Sequence, residues 1–180
     1  WRGLVDGEVC TVATDTCTFK TDQKAMWEGD FTKIPMGMPG TETMLPLLYT
    51  KGVLEERMTL NQFVAKCCTN PAKVMGLFPA KGTLAIGADA DVAIWDPEET
   101  RVAGAMHDAM DYNPFEGREV TGWPVTVLSR GRRVVDAGEL VAKPGDGAFV
   151  ARGRTDLSGR TGTRLPETDP ATNFSAEIVW

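Results

Sequence analysis

The stretch VCTVATDTCTF, residues 9–19, decides how the chain is read. Its first six residues are uncharged, mostly apolar or β-branched, and lie just after the turn pair Asp6-Gly7. Such a run predicts a short buried strand over 9–14, of the kind that parallel sheets cover on both faces. Asp15 then stands at the strand's carboxyl end. A carboxylate there either caps the strand or does chemistry, by binding a metal or moving a proton. Metal centres of that kind use histidines, yet the sequence holds 1 histidine, His107, far along the chain. A lone parallel strand also has no sheet of its own. Both facts place the missing partners outside this sequence.

The wider composition sets limits. The chain has 180 residues, 42 % of them hydrophobic and 24 % charged, which is the profile of a soluble globular domain with its own core. The net charge of −6 gives a nucleic-acid partner no electrostatic support. No apolar run approaches the roughly 20 residues that span a bilayer, and no secretory leader is visible. The chain opens on Trp1 rather than Met, as a piece does whose start lies elsewhere. Cys10, Cys17, Cys67 and Cys68 show no C-x-x-C spacing, which fits reduced, mostly buried thiols in a cytoplasmic protein.

Downstream of the opening stretch, residues 17–45 carry Gly29, Pro35, Gly37, Pro39 and Gly40 and little periodicity. A loop of that length is either functional or a connector. From Thr41 the pattern turns helical, with Met44, Leu47, Leu48 and Leu54 in a stripe. Thr59-Leu-Asn-Gln62 has the spacing of a capping box, followed by an apolar face of Leu60, Phe63, Val64 and Cys67. Asn70-Pro71 predicts a second start, with Asn70 as the cap.

After Pro79 the chain changes character. Residues 82–97 read as strand, turn and strand, and 101–105, 119–122, 125–129 and 132–135 as further short strands, together a small antiparallel sheet or sandwich. Asp89 and Asp91 fit turn bonding better than a paired-carboxylate site, and Trp95 is expected in the core. From Lys143 on, Gly, Pro, Thr, Arg and Asp dominate. Such a tail has too few apolar residues to order itself and is expected to lie against another chain. The division is therefore 1–80, 81–142 and a tail over 143–180.

From Trp1 to about residue 152 this order resembles the C-terminal part of the cyclic-amide hydrolases, the dihydropyrimidinases and hydantoinases of the amidohydrolase superfamily. The resemblance is carried by VATDTC at 12–17, DFTKIP at 30–35, GMPGTE at 37–42, Phe63-Val64 and TNPAK at 69–73. It continues through KGT at 81–83, GADADVAIWDP at 87–97, DYNPFEG at 111–117 and Gly131.

The resemblance implies an α/β fold: the C-terminal portion of a (β/α)8 TIM barrel, namely its last strand and closing helices, plus part of a small β-sandwich and an extended tail. A whole barrel takes about 250 residues, so the earlier strands are expected upstream or in a partner chain. Asp15 resembles the last-strand aspartate that ligates one of two divalent metal ions, expected to be zinc, and carries the proton from attacking water to leaving nitrogen. The other ligands, four histidines and a carboxylated lysine, belong to the absent barrel portion. Met36 falls where relatives hold the cyclic amide through main-chain atoms. Thr16 replaces a histidine common in the family, and His107 falls in the sandwich segment as a surface or core residue. The implied activity is hydrolysis of the ring amide of hydantoins or dihydropyrimidines, by a dimer or tetramer of the complete unit, with neither nucleic acid nor membrane as partner. The alternatives are a non-catalytic scaffold of the collapsin response mediator type, or an allantoinase- or dihydroorotase-like hydrolase.

Overall fold

Thr59 opens the main helical run by the chemistry its spacing predicts. Its hydroxyl accepts from the Gln62 N–H at 3.2 Å, and the Gln62 side chain accepts from the Thr59 N–H at 2.8 Å. In the computed structural model, which describes residues 1–156, this cap starts α4 (Leu60–Val64). A π-helical turn (Ala65–Thr69) and α5 (Asn70–Val74) continue it without a break. Before it come α1 (Arg2–Val5), α2 (Thr21–Ala25), a 3-10 turn (Phe31–Lys33) and α3 (Thr41–Leu48), which runs on as a π-helical segment (Tyr49–Leu54).

The sheet follows the helices. Its strands β1 (Val92–Val102), β2 (Glu119–Ser129), β3 (Arg132–Asp136) and β4 (Glu139–Leu140) lie side by side in chain order, each antiparallel to the next. The pairing of β1 with β2 slips between Ile94 and Trp95, opposite Pro124, which has no N–H to give a ladder. Turns at Arg130-Gly131 and Ala137-Gly138 join the later strands.

Helices and sheet meet in one core. Tyr49, Met58 and Phe63 are buried together, with Leu4, Val5, Leu45, Leu48, Val53, Cys67 and Trp95 packed around them. The Trp95 ring from β1 stands 5.6 Å from Tyr49 and 6.1 Å from Phe63, in tilted and edge-on contacts that aromatic quadrupoles favour. Gly122 makes room on β2: its φ is +89°, and a Cβ there would fall 2.4 Å from Tyr49 Cδ1. Nearby, the Thr50 hydroxyl accepts from the Thr121 N–H at 2.9 Å, tying the π-helical segment after α3 to β2.

The structure corrects several expectations. Residues 9–14 form no strand among the described residues, and Val9 is 47 % exposed. A strand needs a neighbour's ladder, and here the segment has only helices beside it. Asn70 is not a helix cap but sits in helical backbone (φ −68°, ψ −43°) at the join of the π-turn and α5. Leu60 and Val64 are exposed, so the inward face is Phe63, Lys66 and Cys67. Leu84 and Ile86 belong to no strand and are exposed. The strands expected at 119–122 and 125–129 are one, β2.

Of the tail, residues 150–156 run past the end of α5, where the Gly153 N–H donates to Gly76 O at 2.7 Å and the Asp156 N–H to Lys73 O at 2.9 Å. The remainder, 157–180, lies outside the described residues. No described helix is long and apolar enough to cross a membrane, and all four cysteines are free.

Candidate active-site segment

The approach to Asp15 is fastened to the helices by polar side chains in place of a sheet. The Lys66 ammonium donates to Val9 O at 2.6 Å, the Asn70 amide to Cys10 O at 2.8 Å, and the Val12 N–H to Lys66 O at 3.3 Å. Lys66 is buried, and its bond to a carbonyl offsets part of the cost of desolvating an ammonium.

At Asp15 the backbone then turns into the left-handed region, with φ +49°. Aspartate is one of the few residues that enters this region with modest strain. The Asp15 side chain is exposed and makes no hydrogen bond or ion pair among the described residues.

The residues that follow Asp15 hold the loop that carries Met36. The Thr41 hydroxyl donates to the Thr16 hydroxyl at 3.1 Å. Gly37, at φ +118°, lies against Cys17 so closely that a Cβ would fall 2.2 Å from Cys17 Cβ and 2.7 Å from its carbonyl oxygen. The Lys24 ammonium donates to Pro35 O and, at 2.6 Å, to Gly37 O, and it also sits 5.6 Å from the centre of the Phe19 ring. Met36 itself is 88 % exposed. Among the described residues, neither its N–H nor its C=O is hydrogen-bonded.

The connection from β1 to β2 braces both ends of this loop. His107 Nδ1 lies 2.9 Å from Glu42 Oε1, and the His107 N–H donates to Glu42 Oε2 at 2.9 Å. The Asp111 carboxylate accepts from the N–H and the hydroxyl of Thr21, which, first and largest through the hydroxyl bond, hold its carboxyl below the usual range. His107 is thus a surface residue engaged with Glu42. Asn113 organises the turn before β2, its amide donating to Gly104 O and its side-chain oxygen accepting from the Phe115 N–H.

The other groups weighed in the sequence have structural partners. Asp89 and Asp91 grip Lys81 at 2.8 and 2.5 Å, which sequence reasoning read only as turn bonding. Burial, with a smaller push from Cys68, raises the Cys67 thiol to about 12, so it is no thiolate nucleophile.

Among the described residues no three His, Cys, Asp or Glu side chains gather as a metal cluster. The donor set fits a metal only in part, with Asp15 as a single exposed carboxylate. The Lys24 clamp and the Thr16–Thr41 bond were not legible in the sequence. Nothing in TDQKAM at 21–26 marks its lysine as a ligand of two carbonyls 11 and 13 residues on.

Comparison with known proteins gives the family. The model of the amidohydrolase family matches residues 2–134. The chain is 50 % identical over 157 residues to a D-hydantoinase of Geobacillus stearothermophilus, covering 86 % of this chain and 33 % of that protein. It is 45 % identical over 151 residues to a dihydropyrimidinase of Rattus norvegicus, covering 83 % and 29 %. The solved structure of a D-hydantoinase from a Bacillus species superposes with a TM-score of 0.85 at 45 % identity, over 87 % of this chain and 35 % of that one. The chain therefore spans about a third of the length of the curated relatives it matches. A match over most of its length, at these identities, makes the chain a member of the amidohydrolase family.

Proposed function

We propose that this chain is the C-terminal segment of a metal-dependent cyclic amidohydrolase that opens the ring of hydantoins or dihydropyrimidines. The observation that carries the reading is the Asp15 carboxylate, exposed, unpaired among the described residues and set on left-handed backbone beside the Met36 loop. The names of the relatives, D-hydantoinase and dihydropyrimidinase, support the substrate class. In this reading residues 9–14 complete a (β/α)8 barrel as its last strand once the upstream strands supply a ladder, and the sheet forms part of a small sandwich.

Asp15 serves as a ligand to one metal and as the proton carrier. Two divalent ions, zinc in this proposal and held mainly by residues outside this chain, would supply Lewis acidity when bound. Asp15 takes the proton that water loses as it adds to the carbonyl carbon. It returns that proton to the ring nitrogen as the C–N bond breaks, leaving a ring-opened acid. Met36 holds the ring amide through its own peptide: its free N–H meets an amide oxygen and its free C=O meets an amide N–H, a pairing that any cyclic amide presents. The complete unit assembles as a dimer or tetramer.

The test uses the full-length protein that contains this segment. Asp15→Asn keeps a residue that tolerates φ +49° but cannot carry the proton. Turnover of hydantoin and dihydrouracil is expected to fall at least about a hundred-fold, with the fold intact by circular dichroism and about two metal ions bound per wild-type chain. Unchanged turnover in the variant, or a wild-type protein without metal, overturns the proposal.

A further inference from the structure

We propose that Lys24 is a positioning residue for the ring amide, acting through the Met36 peptide; this rests on the function proposed above.

The geometry begins with the two carbonyls that flank Met36. Pro35 O and Gly37 O both turn toward one ammonium, Lys24 Nζ, the second at 2.6 Å. The Pro35–Met36 bond is a trans peptide, since the cis bond among the described residues is Phe78-Pro79. In a trans peptide the C=O and N–H point to opposite sides. With Pro35 O held by Lys24, the Met36 N–H is aimed away from Lys24. That N–H has no partner among the described residues.

The ammonium also polarises that peptide. A charge-assisted hydrogen bond to a carbonyl draws electron density from its N–H, which becomes the stronger donor. Lys24 is anchored for this work. It lies in the last turn of α2, its charge rests near the face of Phe19, and the Asp111–Thr21 bond fixes the start of the same helix. Gly37 packing on Cys17 keeps the clamped loop in register with Asp15. No acidic side chain pairs with Lys24 among the described residues, so its charge is spent on the two carbonyls.

The same full-length enzyme tests this through KM and kcat for a hydantoin. Lys24→Met removes the charge at similar length and is expected to raise KM by about ten-fold while kcat and metal content stay near wild type, the signature of lost uniform binding. Lys24→Arg, which keeps the charge, is expected to stay within about three-fold of the wild-type KM. Lys33→Ala, on the neighbouring exposed turn, serves as the control and leaves both constants unchanged. Wild-type KM in Lys24→Met, or equal failure of the Met and Arg variants, overturns the role of Lys24 while leaving the activity standing. A parallel loss of kcat and metal in Lys24→Met also overturns it, because that marks general collapse of the site. Should Lys24→Met not fold, Lys24→Gln decides: a wild-type KM refutes the role, a raised one supports it. A wild-type enzyme inactive on every cyclic amide removes the underlying function and this role with it.

Discussion

Gly37 and Cys17 occupy a space that has no room for one more carbon atom: a Cβ on Gly37 would stand 2.2 Å from the Cys17 Cβ. The contact joins the loop of Met36 to the segment of Asp15. Gly37→Ala therefore meets both a steric block and an unfavourable φ of +118°. In the full-length protein, on the function proposed above, it is expected to lower kcat/KM by at least about ten-fold and to cost about 1–3 kcal/mol of stability. Steady-state kinetics with denaturant unfolding check this, and wild-type values for both would refute the coupling.

Trp95 gives a sharper stability test. Its indole N–H is buried without a hydrogen-bond partner among the described residues, while its ring packs on Tyr49 and Phe63. Trp95→Phe keeps an aromatic ring and removes the unsatisfied donor, so it is expected to change stability by less than about 1 kcal/mol. Trp95→Ala empties the site and is expected to cost about 3–5 kcal/mol. Equal losses in the two variants, measured by urea unfolding, would contradict this account.

The capping box at Thr59 predicts a modest, specific loss. Thr59→Ala leaves the Gln62 N–H without its acceptor and is expected to cost about 1 kcal/mol, with Thr59→Ser restoring most of it. A thermal midpoint unchanged in Thr59→Ala would show the cap to be idle.

The Lys81 cluster predicts a pH dependence. Burial pushes the Asp91 carboxyl up, but the Lys81 ammonium and the Arg130 N–H together outweigh it and hold the group below its usual 3.8. A carboxyl depressed by folding adds stability above its unfolded value, and that contribution is lost as pH falls through the folded one. Lys81, raised above 10.5 first by Asp89 and then by Asp91, has the opposite sign and loses its contribution only as pH rises past that range. Asp91→Asn is thus expected to lower the thermal midpoint at neutral pH, with the gap to wild type closing as pH falls below 3.8. A gap of constant size from neutral to acid pH would rule out the charge pairing as its cause.

Local chemistry was readable in the sequence where it is carried by neighbouring residues. The Thr59–Gln62 box depends on contacts three residues apart, and it stands as expected. The candidate site residues Asp15 and Met36 were named mainly through family resemblance, because they carry no spacing of their own. What escaped was long-range. Lys24 reaches carbonyls across a loop, Glu42 meets His107 across 65 positions, and Lys66 turns inward where a helix-period count places exposed charge. The strand over 9–14 failed for a different reason. Its β-branched pattern describes a residue's preference for a sheet, and a sheet edge is supplied by other parts of a chain.

The aromatic triangle of Tyr49, Phe63 and Trp95 draws one ring from each of two helical segments and one from the sheet. A cut near residue 80 would therefore leave two halves that each display half of a stripped core. Expressed apart, the pieces would seek one another or aggregate. For anyone grafting this segment onto another scaffold, the portable unit is helices and sheet together.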